Sequence, residues 1–281
     1  MDYREIMLGE QKMSISISMG QFVCDTRNAA VALTTVLAIS MGAAPAGAAD
    51  IRVFSGGAPQ AVLRGLAPEF EKATGHRITF TFALVTEIRQ KLAAGEEADV
   101  ILLPVPLMAA TEKSLPLSAA GRRELARVGI GVITREGATQ PDISTTEAVR
   151  KLLLEARSVA FPDPSTPSGS HLARVIAQLG ISAAMQPKLI HKGAIRGGGE
   201  LVANGEADIG LYLVSEVQTI KGVSVVGLLP PALQSFVVYG AAIPAYNATP
   251  DAALSFIRFV SEPGKGERWK AAGFELVDSH Y

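Results

Sequence analysis

The stretch IRVFSGGAPQAVLRGLAPEFEKATG, from Ile51 to Gly75, decides the fold. It opens on a short apolar run, Ile51, Val53 and Phe54, that reads as a buried strand. The run breaks into Ser55-Gly56-Gly57, small residues that let the backbone approach another group closely. Val62, Leu66 and Phe70 then recur at fourfold spacing with Leu63 alongside, which predicts a helix stopped at Gly75. A strand, a glycine turn and a helix start leave several N–H groups unpaired at the positive end of a helix dipole, and such a place holds an anion. The same pattern also fits an ordinary strand–helix unit with no site at all.

The chain repeats this grammar downstream. His76–Phe82 alternates like a strand, a helix carrying Ile88 and Leu92 inward ends at Gly95, and Val100–Leu103 is a short buried strand. Alternation of strand and helix predicts a parallel sheet covered on both faces. Val128–Thr134 is β-rich, and Ser144–Arg157 reads as a helix capped by Ser144 or Thr145. Ser158–Phe161 is a strand running into the loop PDPSTPSGSH, with a helix expected over His171–Leu179. Ile195–Asn204 reads as a glycine-rich helix start, residues 205–213 as a turn and strand, Ser235–Ile243 as a strand, and Asp251–Phe259 and Lys265–Ala272 as closing helices.

Four segments carry a resemblance: VFSGGAPQAVLRGLAPEFEKATG from Val53, KLAAGEEAD from Lys91, DPSTPSG from Asp163, and GEADIG from Gly205. Over Ile51 to about Leu276 the chain resembles the molybdate-binding periplasmic proteins of ABC importers. The resemblance implies an α/β, two-lobed type II periplasmic-binding-protein fold, each lobe a mostly parallel sheet flanked by helices with the cleft between them. It divides the chain into 50–132 (first lobe), 133–234 (second lobe) and 235–281 (return to the first lobe).

For the ligand, the resemblance implies main-chain and hydroxyl donors from both lobes. The family's first serine falls on Ala58, with Ser55, Gly56 and Gly57 beside it. Its serine pair falls on Val85 and Thr86, its second-lobe loop on Ser168, Gly169 and Ser170, and its late main-chain contact near Ile195. Its tyrosine falls on Leu213, one residue after Tyr212. Arg196 stands at the start of the Gly197-Gly198-Gly199 run, where its planar fork would pair with a carboxylate. Two hydroxyls expected around molybdate are therefore absent, and each lost donor in a dry site costs about 1–3 kcal/mol. The implied ligand is a small anion: molybdate, tungstate or a small carboxylate. The implied partners are importer membrane subunits, and a sensing role on the same fold is the alternative.

Composition narrows the class. With 281 residues, 48% hydrophobic, the chain can bury a core, and a net charge of −1 without basic blocks argues against nucleic acid as partner. Residues 1–49 read as a signal peptide: Ala29–Ala49 carries no charge and ends in small residues, with cleavage near Ala48 or Ala49 and a periplasmic destination. Cys24 lies in that segment, so the mature protein, expected to be a monomer, has no cysteine. The chain has no GxSxG, no phosphate-binding GxxxxGK[ST] and no HExxH, and its four histidines lack metal spacing. No enzymatic activity, cofactor or metal site is expected. Asp99 and Asp208 are expected to hold turns, and Glu87 and His171 to sit at helix starts.

Overall fold

The computed structural model describes residues 47–277, so the signal segment expected over 1–49 lies outside the described residues apart from its end. β1 (Asp50–Ser55) passes through the glycine turn into α1 (Gln60–Thr74), and β2 (Arg77–Phe82), α2 (Val85–Ala93), β3 (Val100–Pro104) and α3 (Val105–Glu112) follow. β4 (Leu117–Arg135) comes next, then α4 (Thr146–Glu155), β5 (Val159–Phe161), α5 (Pro167–Gln178), α6 (Ser182–Met185) and β6 (Leu189–His191). α7 (Gly198–Asn204), β7 (Ile209–Leu213), α8 (Val214–Val217), β8 (Val223–Leu228), β9 (Phe236–Pro244), α9 (Pro250–Val260), α10 (Gly266–Ala271) and β10 (Glu275–Leu276) complete the chain.

The strands lie in the order β2-β1-β3-β9-β4-β7-β5-β6, with β8 and β10 also paired to β4. Each end is parallel: β1 pairs with β2 and β3, and β5 with β6 and β7. The middle is antiparallel, where β9 and β4 join the ends. β4 passes from one partner to the other within a step, pairing Gly129 with Phe236 and Ile130 with Leu213. It therefore belongs to both halves of the sheet.

β4 starts at Leu117, well before the β-rich run that its sequence advertises. The pairing with β9 shifts register between Ser118 and Arg123 and again between Glu124 and Ala126, which destroys the alternation a strand normally shows. The charges there are exposed: Arg122 pairs with Glu112 at 2.8 Å and Arg127 with Glu275 at 2.7 Å.

Two other boundaries differ from expectation for local reasons. α5 begins at Pro167, not His171, because Thr166 Oγ1 accepts the N–H of Gly169 at 3.1 Å and Pro167 supplies a preset first helical residue. The expected helix start at Ile195 is a 3₁₀ turn, Ala194–Arg196, ended by Gly197 at φ +89° before α7 begins.

The two aspartates hold more than turns. Asp99 accepts from Arg52 through its backbone N–H (2.7 Å), Nε (3.0 Å) and Nη2 (3.2 Å), clamping β1 to the loop before β3. Asp208 takes the same three donors from Arg157, at 2.8, 3.1 and 2.7 Å, ahead of β5 and β7. Hydrogen bonds from Arg157 hold the Asp208 carboxyl below its ordinary range. Each half thus has its two central parallel strands tied together, and the helices that follow those strands are aimed from a fixed frame.

Candidate ligand pocket

Those helices start around one small, partly open pocket. Its wall is made by Gly57 from the β1–α1 turn, Leu84 and Val85 at the start of α2, and Pro104 at the start of α3. From the other half come Pro162, Thr166, Pro167 and Ser168 at the start of α5, Gly193 and Ala194 at the 3₁₀ turn, and Leu213 ahead of α8. Glu216, Val237 and Tyr239 complete it. The first N–H groups of a helix have no partner within it, so α2, α3 and α5 all present donors and positive dipole ends here. At α5, Thr166 takes up the N–H of Gly169 with its hydroxyl and that of Ser170 with its carbonyl, while Ser168 keeps a donor free of the helix ladder.

The glycine turn works by absence. A side chain on Gly56 would start 2.8 Å from Val85 Cγ1 and 3.1 Å from Tyr239 Oη; one on Gly57 would strike Ile195 and stand 3.2 Å from Glu216 Oε1. The Ser55–Ala58 turn therefore meets the other half at van der Waals distance, through Gly57 against Ile195.

Of the residues singled out in sequence, Gly57 and Ser168 line the pocket, as do Val85 and Leu213, which stand where the family has a serine and the tyrosine. Ser55 is fully buried and its hydroxyl donates to the Gly56 carbonyl at 2.9 Å, so it faces its own turn. Ala58 is core. Thr86 follows Val85 in the first turn of α2 without lining the cavity, and Gly169 serves the α5 cap. Tyr212 turns away: its hydroxyl donates to the Lys192 carbonyl at 2.8 Å. Ile195 closes on Gly57 from outside the pocket. Arg196 does meet a carboxylate, but the carboxylate is Glu87, 2.5 Å away on α2. That pair joins the two halves over the rim and leaves Arg196 off the pocket wall.

Ser170 and His171 lie in an adjoining opening with Arg174, which shares Pro104, Pro167, Ser168 and Val237 with the pocket. His171 Nε2 is held 2.8 Å from the Leu233 carbonyl. On the other side an outward opening shares Gly57, Ala194 and Glu216, and is lined by Gln60, Arg64, Glu200, Ser215 and Thr219. Arginines thus stand on both flanks of a central pocket that has none.

Two pocket residues with titratable side chains were not marked in sequence. Tyr239 is 1% exposed, and its phenol has no hydrogen-bond partner among the described residues while it lines the cavity. Burial, and the neighbouring Glu216, push the phenol well above its ordinary pKa, so it stays a donor. Glu216 is the third residue of α8; burial pushes its carboxyl up to about 7. The one local clue was an acidic residue three positions after the buried run IGLYL, past Val214 and Ser215. Among the described residues no group of three or more His, Cys, Asp or Glu side chains is placed to hold a metal ion.

Comparison with known proteins adds to this geometry. A family model for bacterial extracellular solute-binding proteins matches residues 51–275. An aconitate isomerase of a Pseudomonas species is 29% identical over 235 residues, covering 81% of this chain and 88% of that protein. The molybdate-binding protein of Azotobacter vinelandii is 25% identical over 185 residues, or 66% of this chain and 73% of that protein. The solved structure of the periplasmic molybdate-binding protein from Azotobacter vinelandii superposes with a TM-score of 0.67 at 19% identity, covering 81% of this chain and all of that one. The shared fold is the two-lobed one, with parallel strands at each end and the pocket between.

Proposed function

Because the chain belongs to the bacterial extracellular solute-binding proteins, we propose that it captures a small carboxylate in the pocket between its lobes and delivers it to an ABC importer. In this reading residues 50–132 and 235–281 form one lobe, 133–234 form the other, and residues 1–49 direct export. Among the described residues no helix is long and apolar enough to cross a membrane.

The observation that carries the reading is the unpartnered Tyr239 phenol among converging helix starts. Donors of both kinds, aimed at one spot from two lobes, suit the head of a carboxylate and reward closure on it. One feature of the pocket's flanks favours a carboxylate over molybdate. Arg64 and Arg174 on the flanks give a ligand with more than one carboxylate somewhere to extend. The aconitate isomerase relative, named for a polycarboxylate, points the same way.

Titration calorimetry and thermal shift with molybdate, sulfate and a carboxylate panel including trans-aconitate test it. One carboxylate should bind at micromolar strength or tighter and raise the melting temperature, with molybdate at least a hundredfold weaker; nanomolar molybdate with no carboxylate heat would overturn the assignment.

Tyr239→Phe deletes one donor and keeps the ring. The variant is expected to melt like wild type and to bind the best ligand about ten- to a hundredfold more weakly, the worth of one buried hydrogen bond. An unchanged dissociation constant would remove the phenol from the site.

A further inference from the structure

A carboxyl inside a pocket made to hold an anion works against capture, since it repels the ligand and meets no donor there. Glu216 is that carboxyl, and burial alone accounts for its raised pKa, with no hydrogen bond or opposite charge acting on it. Glu216 is half-buried, and an acid so placed without a partner is a cost that binding does not explain.

The groups around it are those needed to move a proton on carbon. When a C–H next to a carboxylate loses its proton, negative charge grows on the carboxylate oxygens. The donors at the helix starts and the Tyr239 phenol stand where they stabilise that charge without having to rearrange. Glu216 offers a base whose strength suits neutral pH. It also lines the outward opening, which gives the carboxyl a second face on the solvent side. The groups that face it are the phenols of Tyr239 on β9 and Tyr212 on β7, and, across the outward opening, Arg64 on α1 and Glu200 on α7. Ile195 against Gly57 and Arg196 on Glu87 join the halves beside the pocket.

We infer that the pocket is catalytic as well as binding: Glu216 takes a proton from the carbon beside one carboxylate of a bound unsaturated polycarboxylate and returns it at the far end of the allylic unit. The C–H electron pair becomes the new π bond, the old π pair becomes the new C–H bond, and Glu216 finishes in the state in which it began. Nothing is oxidised or reduced, and no co-reactant is needed. The inference rests on the carboxylate reading of the pocket.

Proton NMR in D2O, with trans-aconitate as the probe and calorimetry run in parallel, tests it. Wild type should bind the probe, wash deuterium into its methylene position and build up the cis isomer. The rate should rise with pH as Glu216 ionises near 7 and level off above that. Glu216→Gln should still bind and should exchange at least a hundredfold more slowly.

Deuterium entry no faster than in protein-free buffer, with the probe bound, would overturn the catalytic role and leave the binding role standing. So would a Gln variant as fast as wild type. If the variant folds poorly, the wild-type profile decides: a rate independent of pH between about 5.5 and 8.5 rules Glu216 out. Failure of every carboxylate to bind, with molybdate bound tightly, would remove both readings together.

Discussion

Glu216→Gln is expected to make the protein more stable, and only on the alkaline side. The unfolded chain gives up this proton near the ordinary 4.5, whereas the folded protein keeps it up to about 7. Between those values the folded state holds the extra proton, so stability falls as pH rises from about 4.5 to about 7 and is level above. The gap corresponds to roughly 3 kcal/mol as an upper figure, since opening of the pocket lets water reach the carboxylate. Glutamine keeps the shape and does not titrate. Urea unfolding should therefore show variant and wild type equal at about pH 4, with the variant ahead by up to roughly 3 kcal/mol at about pH 8. Equal stability at both pH values would mean that the carboxyl is not buried in solution. A residue that weakens the fold and lies in the binding pocket is the pattern expected where function is bought with stability.

Gly169→Ala is expected to damage fold and pocket at once. A side chain there would run into the carbonyl of Asp163, with Pro162 O 2.9 Å away, and these are backbone atoms that cannot swing aside. The loop is already committed: Asp163 accepts from the Thr166 N–H at 2.9 Å and its hydroxyl at 2.7 Å, and its carboxylate accepts from the Ser165 N–H at 2.8 Å. Relief requires α5 to pull away from Pro162, which takes the Ser168 donor with it. Overpacking of this kind costs about 1–3 kcal/mol or more, and affinity should drop by over tenfold. Denaturant unfolding and calorimetry measure the two losses separately; a variant with wild-type values for both would show that the loop adapts freely.

How far the sequence could be read follows from the range of the forces involved. Apolar runs and glycine turns act locally, so β1, β3 and β5 and the loops after β1 and β5 stand close to where Ile51–Phe54, Val100–Leu103 and Ser158–Phe161 put them. Tyr239 had no such signal. It reaches the pocket through register, opposite Pro104 of β3 and Ala126 of β4, and no window of neighbours encodes that. Tyr212 was the natural candidate by position, yet strand alternation points its ring into the second half, onto the Lys192 carbonyl. Arg196 was read as a partner for a ligand's carboxylate, whereas in the fold it pairs with Glu87, 109 residues away in sequence and invisible until the chain folds. Glu216 was not marked, because its place in the pocket wall beside the Gly57 turn arises only once the halves meet.

The two ends of the sheet share a plan. The orders β2-β1-β3 and β6-β5-β7 are the same, each with its arginine–aspartate clamp, and α3 leaves β3 as α8 leaves β7. The pocket therefore lies at a seam between two like-built ends, with near-twofold character in its strand plan. Such a seam presents the same face to either end of a ligand. What gives this one a direction is where the ends differ: the third residue of α3 is Leu107, and the third residue of α8 is Glu216.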